Sequence, residues 1–406
     1  MSTPRKKICI ITQSHLCRNP RVLKEAQTLS GAGYEVHVIN SVYSAALKEQ
    51  DNKLIDSYSI CVHHAVDLTR PGFRSLVDKL IFKTARGLIK YAHIESSLAL
   101  GYGSYKYYQT ARSIQADLYI CHQELATFIG NKLLKAGYKA AFDLEDWYSE
   151  DLLPTDRKMR PVKLLKKAEA FALQNGTFCT TTSRALAEKL SIVYSSKAPE
   201  VIYNVFPLRS DLLNNKKAFV HPLKLFWFSQ TIGPGRGLEE FIGLINNFQI
   251  PLELHLLGNI SDGYREKLKA LMPSQHQIFF HELVPENELA SKIATFDIGL
   301  ALELTSPPSR NYTITNKFFQ YIQAGLPVIV SETHGQKEAF VKFKPGFILL
   351  NPTTESEIAT LDDWLNSPAE LANARERAIE AARFYNWENE AKKLIRLIKN
   401  ALEPAG

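Results

Sequence analysis

Ser309-Arg-Asn-Tyr-Thr-Ile-Thr-Asn-Lys-Phe-Phe-Gln-Tyr-Ile-Gln-Ala-Gly-Leu-Pro-Val-Ile-Val330 reads as a loop, a short helix, a stop and a buried strand. Thr315 is an N-cap residue type, Asn316 to Gln323 has helical spacing, and Gly325 ends the helix. Pro327 to Val330 is apolar and β-branched, as a strand covered on both faces requires. The helix N-terminus leaves backbone N–H groups without intrahelical partners, which suits a phosphate. Gln320 lies one turn in, where its amide can hydrogen-bond hydroxyl groups.

Outward from this stretch the alternation recurs. Leu223–Phe228, Leu252–Leu257, Gln277–Phe280 and Asp297–Leu302 read as strands, with Leu238 to Asn246 helical. In the first half Ile8–Thr12, Glu35–Ile39, Leu118–Cys121, Ala140–Asp143, Gly176–Thr180 and Glu200–Tyr203 are strand runs. Val22 to Ser30 is a helix closed by Gly31-Ala-Gly33. Short strands alternating with helices predict α/β architecture, with parallel sheets covered on both faces. Asn204 to Pro222, rich in Asn, Lys and Pro and without periodicity, is the expected linker. The expectation is two Rossmann-like, doubly wound domains, 1–205 and 206–385, facing an inter-domain cleft lined by strand C-termini.

The 406 residues are 45% hydrophobic and 22% charged, a soluble globular composition. No run approaches the roughly 20 apolar residues of a membrane span. Met1 to Lys7 is short and basic, and Ile8 to Thr12 is too brief for a signal-peptide core, so a cytoplasmic location is expected. The net charge of +7 is uneven: residues 1–200 hold 28 Lys/Arg against 19 Asp/Glu, and residues 201–406 hold 21 against 23. An anionic partner is therefore expected on the first half. Cys9, Cys17, Cys61, Cys121 and Cys179 include no C-x-x-C pair, so they read as reduced thiols and no metal site is expected.

Ser229-Gln-Thr-Ile-Gly-Pro-Gly-Arg-Gly-Leu-Glu-Glu240 follows a strand and opens a helix. Gly233 and Gly235 let backbone N–H groups approach an anion, and Arg236 adds a bidentate cation. Two readings stand: a diphosphate loop, or a flexible connection with a solvated arginine. The pattern is not G-x-G-x-x-G, and the first strand-to-helix loop, Gln13 to Asn19, has no glycine. A dinucleotide dehydrogenase is thereby disfavoured.

Asn316-Lys-Phe-Phe-Gln-Tyr-Ile-Gln-Ala-Gly-Leu-Pro-Val-Ile resembles the signature of retaining GT-B glycosyltransferases of family four (glycosyl transferases group 1). Gly233-Pro-Gly-Arg-Gly-Leu-Glu-Glu resembles their donor-phosphate loop. Arg18-Asn-Pro-Arg-Val-Leu-Lys-Glu-Ala with Gly33-Tyr-Glu-Val-His-Val-Ile resembles their opening strand-helix-strand. Thr181-Thr-Ser-Arg-Ala-Leu-Ala-Glu, Val201-Ile-Tyr-Asn and Phe296-Asp-Ile-Gly-Leu-Ala are similar to further landmarks, in the expected order. The resemblance implies a nucleotide-sugar donor held by Gly233, Gly235, Arg236, Thr315, Asn316, Lys317 and Gln320. It also implies that the last segment, 386–406, returns to the first domain. No cofactor or metal is implied, since the donor is a substrate. The family's two glutamates, separated by seven residues, fall on Tyr312 and Gln320, and its arginine ahead of the phosphate-loop cation falls on Thr231. Glu303, just after a strand, is the remaining candidate carboxylate near the sugar.

In the first half, His122 ends the strand Leu118–Cys121, a place the resemblance assigns to the active-site histidine; a strand-end histidine satisfying backbone groups is the alternative. Phe142-Asp-Leu-Glu-Asp-Trp-Tyr-Ser-Glu-Asp151 concentrates carboxylates, of which Asp143 and Glu145 are acceptor-side candidates beside Ser14 and Arg18. An acidic helix N-terminus is the other reading of that run. Arg70 to Lys90 and Arg157 to Lys167 each carry six Lys/Arg among apolar residues at helical spacing. Both fit an anionic membrane surface or ordinary solvated helices. No nucleic-acid motif accompanies the charge.

The expected function is retaining transfer of a sugar from a nucleotide donor to a glycan or lipid-linked glycan, in bacterial-type surface polysaccharide or glycoconjugate synthesis. Peripheral attachment to the inner face of a membrane is a further expectation. The alternatives are a GT-B epimerase, an inverting transferase, and a catalytically silent partner subunit.

Overall fold

The computed structural model describes residues 5–70, 72–214, 218–248 and 250–403. The start of the chain at 1–4, residue 71 of the first basic segment, 215–217 of the expected linker, and 404–406 of the expected C-terminal segment lie outside the described residues. The chain divides into two compact units, Met1–Ile202 with Ala391–Gly406, and Tyr203–Glu390. The division falls inside the last helix, Trp387–Leu402.

In the first unit, β1 (Lys7–Ile11), β2 (Glu35–Val42), β3 (Ile60–Asp67), β4 (Leu118–His122), β5 (Ala140–Leu144), β6 (Cys179–Thr181) and β7 (Glu200–Val201) form one sheet in the order β3-β2-β1-β4-β5-β6-β7. In the second, β8 (Leu223–Thr231), β9 (Leu252–Asn259), β10 (Gln277–His281), β11 (Ile298–Ala301), β12 (Val328–Ser331) and β13 (Gly346–Leu349) follow the order β10-β9-β8-β11-β12-β13. Every strand pair is parallel. In each unit the chain winds outward from its first strand and then returns to that strand's other side. The strand order therefore reverses at β1/β4 and at β8/β11, where parallel sheets open a crevice at their carboxyl ends.

The central strands of the first unit are the most deeply covered; every residue of β4 and β5 is buried. The edge strands β3 and β13 are not among the strands expected from sequence. Both are half-buried; β3 lacks the unbroken apolar run that marks a central strand, and β13 is apolar but only four residues long. Among the described residues no helix is long and apolar enough to cross a membrane.

One close approach fixes the helix Asn316–Gln323 against the second sheet. A Cβ at Gly299 would lie 2.1 Å from the Tyr321 ring, so glycine is what lets that ring lie on β11. The fully buried Tyr321 hydroxyl donates to the Phe226 carbonyl at 2.9 Å, tying the helix to β8 as well. The helix N-terminus is thereby held at the carboxyl ends of the strands.

The outer strands of both units repeat one polar ladder. His37 bonds Glu35 at 2.8 Å and His63 at 2.8 Å, and His255 bonds Glu253 and His281, each at 3.0 Å. Burial depresses the affinity of His63, His255 and His281 for protons, so the ladders favour neutral imidazoles.

Gly299→Ala is expected to destabilise the second unit by about 1–3 kcal/mol, the usual range for overpacking. Gly263→Ala, with open space around it, should be neutral or slightly stabilising. Urea unfolding of both variants checks the contrast.

Candidate functional site

At the β8/β11 switch point three cations gather around one carboxylate. The loop after β8 turns through Gly235 and Gly237, whose φ values of 74° and 78° are left-handed and favour glycine. Arg310 donates from Nη1 to the Gly235 carbonyl at 3.0 Å, bracing the loop. Arg236, carried between the two glycines, places Nη1 3.9 Å from Glu303 Oε1. Lys317, in the first turn of the helix Asn316–Gln323, places Nζ 3.7 Å from the same oxygen. Glu303 follows β11 and donates its backbone N–H to Ser331 Oγ at the end of β12, 3.0 Å away.

The charge balance is lopsided. Lys317 is buried over the Trp227 ring, its Nζ 5.0 Å from the centroid. Burial lowers its proton affinity below the ordinary lysine value, Arg236 and Arg310 lower it further, and Glu303 opposes them. Glu303 Oε2 and Gln320 Oε1 are buried without a hydrogen-bond partner among the described residues. Thr315 occupies the N-cap, yet its side chain makes no capping bond. Asn316 Oδ1 instead accepts from Asn204 Nδ2 at 3.1 Å. Two arginines, a crowded lysine and an uncapped helix N-terminus are groups that an anion stabilises.

The candidates Gly233, Gly235, Arg236, Glu303, Thr315, Asn316, Lys317 and Gln320 thus come from the loop after β8, the end of β11 and one helix N-terminus. Arg310, Ser331 and Trp227 are functional neighbours that the sequence reading missed. Arg310 sits in a one-turn helix, Pro308–Asn311, whose only sequence signal is a cation beside the quoted stretch. Tyr312, at the place of the family's first glutamate, stacks on His334 with ring centroids 5.4 Å apart.

The corresponding switch point in the first unit is filled by the protein itself. Gln123 Oε1 accepts from Thr12 Oγ1 at 3.0 Å and from the Gln13 backbone at 2.9 Å, across β1 and β4. Gln123 has a φ of 72°, a left-handed value for a non-glycine residue at a strand-to-helix turn. Beside it lies a buried ionic network. His122 Nε2 meets Glu25 Oε2 at 3.0 Å, while its Nδ1 meets Asp143 Oδ2 at 3.0 Å and Glu145 Oε1 at 3.2 Å. Arg21 clamps Asp143 through Nε at 2.5 Å and Nη2 at 2.8 Å, and Thr180 Oγ1 donates to it at 2.6 Å.

The network encloses two of the candidate residues. His122 is 0% exposed and both its ring nitrogens are engaged, so it presents no free nitrogen to a sugar. Asp143 is equally enclosed and acts as the counter-ion of Arg21 and His122. Glu145 is half-buried and is the member of the network nearest solvent. Ser14 Oγ is buried without a partner among the described residues, and Arg18 is exposed. Arg21 and Glu25, missed in sequence, lie one turn apart on the buried face of the helix Pro20–Gly31.

Burial alone would lower the His122 proton affinity, but Glu25 and Asp143 outweigh it and raise it well above the ordinary value. Burial would raise that of Asp143, but Arg21 and His122 outweigh it and hold the carboxyl ionised. Nearby Asp146 goes the other way: burial, Asp151 and Glu145 push its carboxyl well up, towards the protonated form.

Residues 239–396 match the protein family described as glycosyl transferase-like. No curated protein matches the chain. Among solved structures, the sucrose-phosphate synthase of Thermosynechococcus elongatus superposes with a TM-score of 0.68 at 14% identity, covering 98% of this chain and 99% of that one. Anabaena HepE, solved in complex with UDP-glucose, gives 0.64 at 14% identity over 97% and 99%. WaaG, a glycosyltransferase involved in lipopolysaccharide biosynthesis, gives 0.60 at 12% identity over 95% and 98%. The fold is the GT-B fold of these proteins, with two Rossmann-like units.

Asp143→Asn leaves the buried Arg21 without its bidentate counter-ion, removes one of the three carboxylates around His122 and is expected to cost about 3–5 kcal/mol. The pH dependence has two limbs. The Asp143 contribution is present above the ordinary carboxyl value and is lost as pH falls below it. The His122 contribution is complete below the ordinary imidazole value and is lost as pH rises through its raised value. Denaturant unfolding of wild type across pH should show both losses, and Asp143→Asn should abolish the acid limb due to this group.

Proposed function

We propose that the chain is a glycosyltransferase that moves a sugar from a nucleotide-sugar donor to a glycan or lipid-linked glycan. One observation carries the reading: Arg236 and Lys317 converge on a single Glu303 oxygen beside an uncapped helix N-terminus at the β8/β11 switch point. Such a surplus of positive charge suits the diphosphate of a donor and its departure as a leaving group. The match of residues 239–396 to glycosyl transferase-like proteins takes in Glu303, Thr315 and Lys317, and HepE with UDP-glucose supports a nucleotide-sugar donor.

In this reading Arg236, Lys317 and the backbone N–H groups at Thr315 and Asn316 bind the diphosphate. Gln320 and Glu303 face the ribose or the transferred sugar as acceptors of hydroxyl hydrogen bonds. Transfer proceeds with retention by front-side attack: the bond from the anomeric carbon to the phosphate oxygen breaks. A bond to the acceptor oxygen forms on the same face, and the acceptor proton passes to the departing phosphate. No metal or other cofactor takes part. Glu145 and Ser14 remain the acceptor-side candidates, and His122 acts as a positioning residue that holds β4, β5 and the helix Pro20–Gly31 together. The pathway is surface polysaccharide or glycoconjugate synthesis, supported by the likeness to WaaG, which is involved in lipopolysaccharide biosynthesis. The location is cytoplasmic, at the inner face of a membrane, supported by the basic excess of the first half.

A second reading, a donor-binding subunit without transfer, draws on the sealed His122 and on Tyr312 and Gln320 in place of acids. Donor hydrolysis by the purified chain separates the two.

Nucleoside diphosphate is expected to raise the melting temperature, and Arg236→Ala to weaken its binding about ten- to a hundredfold, as loss of a charged hydrogen-bonding partner implies. Chelator should leave transfer unchanged. Absence of any thermal shift with every common nucleoside diphosphate would remove the reading. Anomeric NMR of the product distinguishes retention from inversion.

A further inference from the structure

The two basic segments of the first unit, alike in sequence, differ in the structure. In the second, half of the six cations are paired from within: Arg157 and Lys166 with Glu150 at 2.8 and 2.7 Å, and Arg160 with Glu124. Its apolar side points inward, with Leu165 buried. This is an ordinary domain helix.

The first, Phe73–Ala92, is turned the other way. It buries the small or polar Ser75, Asp78 and Ala85 and a single large apolar residue, Ile89. Asp78 is fully paired there, with Lys106 Nζ at 2.6 Å and the Tyr105 hydroxyl at 3.1 Å. The large apolar residues face outward: Phe73 is 81% exposed, Leu80 62% and Tyr91 78%, with Leu76 and Leu88 beside them. Their spacing places them on one stripe. Arg74, Lys79, Lys83 and Lys90 are exposed along the same helix and form no ion pair among the described residues. Every charge the helix presents to solvent is positive, because its one acid is the buried Asp78.

We infer that the outward face of Phe73–Ala92 docks on an anionic lipid surface. The apolar stripe enters the boundary between headgroups and acyl chains, and the flanking cations meet lipid phosphates. Lysine and arginine suit that position because their stems lie along apolar surface while their heads stay at the interface. Like charge disfavours a second copy of this face as the occupant, since two such faces would oppose cations with cations. The inference does not rest on the donor site.

The test is sedimentation of the full chain with phosphatidylcholine vesicles, with and without phosphatidylglycerol. Binding is expected to the anionic vesicles, to fall with added salt, and to be weak on phosphatidylcholine alone. Leu76→Asp with Leu80→Asp alters only exposed side chains and should reduce binding about tenfold or more. Lys79→Gln with Lys83→Gln and Lys90→Gln should weaken binding and flatten its salt dependence. Lys158→Gln with Lys163→Gln and Lys167→Gln should leave it unchanged. An unaltered cooperative melting transition shows that each variant is folded. Phe73→Ser with Tyr91→Ser repeats the test should the aspartate pair unfold the chain. No binding to anionic vesicles overturns the inference, as does binding indifferent to the apolar substitutions. A dimer in solution that Leu76→Asp with Leu80→Asp dissociates overturns it in favour of a second copy.

Discussion

Two cations directed at one carboxylate oxygen, with Arg310 bracing the loop behind them, make the β8/β11 switch point an electrostatically unfinished place. The rest of the second unit exists to hold that imbalance. Gly299 lets Tyr321 lie on β11, Tyr321 ties the helix Asn316–Gln323 to β8, and the helix brings Lys317 beneath Arg236. A lysine buried over Trp227 with two arginines nearby is costly without a partner anion, because desolvation and like charge both disfavour its ammonium form. A diphosphate supplies the missing charge.

The first unit has the same winding and the opposite solution. Its switch point is closed by Gln13 and Gln123, and the ionisable groups behind it satisfy one another. Arg21, Asp143, His122 and Glu25 form a chain of charge-assisted contacts. Such a network fixes the geometry of β4, β5 and the first helix. The asymmetry between a sealed and an open switch point follows from which side chains end each strand, not from the topology.

Much of the fold was legible in the sequence because central parallel strands must be apolar on both faces; β4, β5, β8 and β12 announce themselves this way. The edge strand β3 did not, since its half-exposed side admits polar residues such as His63 and His64, and β13 did not because its apolar run is only four residues long. Arg236 and Lys317 were legible because glycine turns and a helix start mark them. The enclosure of His122 was not legible, because its partners Glu25 and Asp143 are remote in sequence and no local pattern reveals that both ring nitrogens are taken. Arg157–Lys167 looked like Arg70–Lys90 for the same reason: the neutralising Glu150 and Glu124 become visible only when the chain folds.

The most direct measurement is the Lys317 ammonium titration by NMR of the side chain, with and without nucleoside diphosphate. In the free protein the lysine should titrate below its ordinary value. Saturating diphosphate should raise that value, with proton uptake on binding in the alkaline range. A Lys317 that titrates normally in the free protein, or one unmoved by diphosphate, would contradict the account.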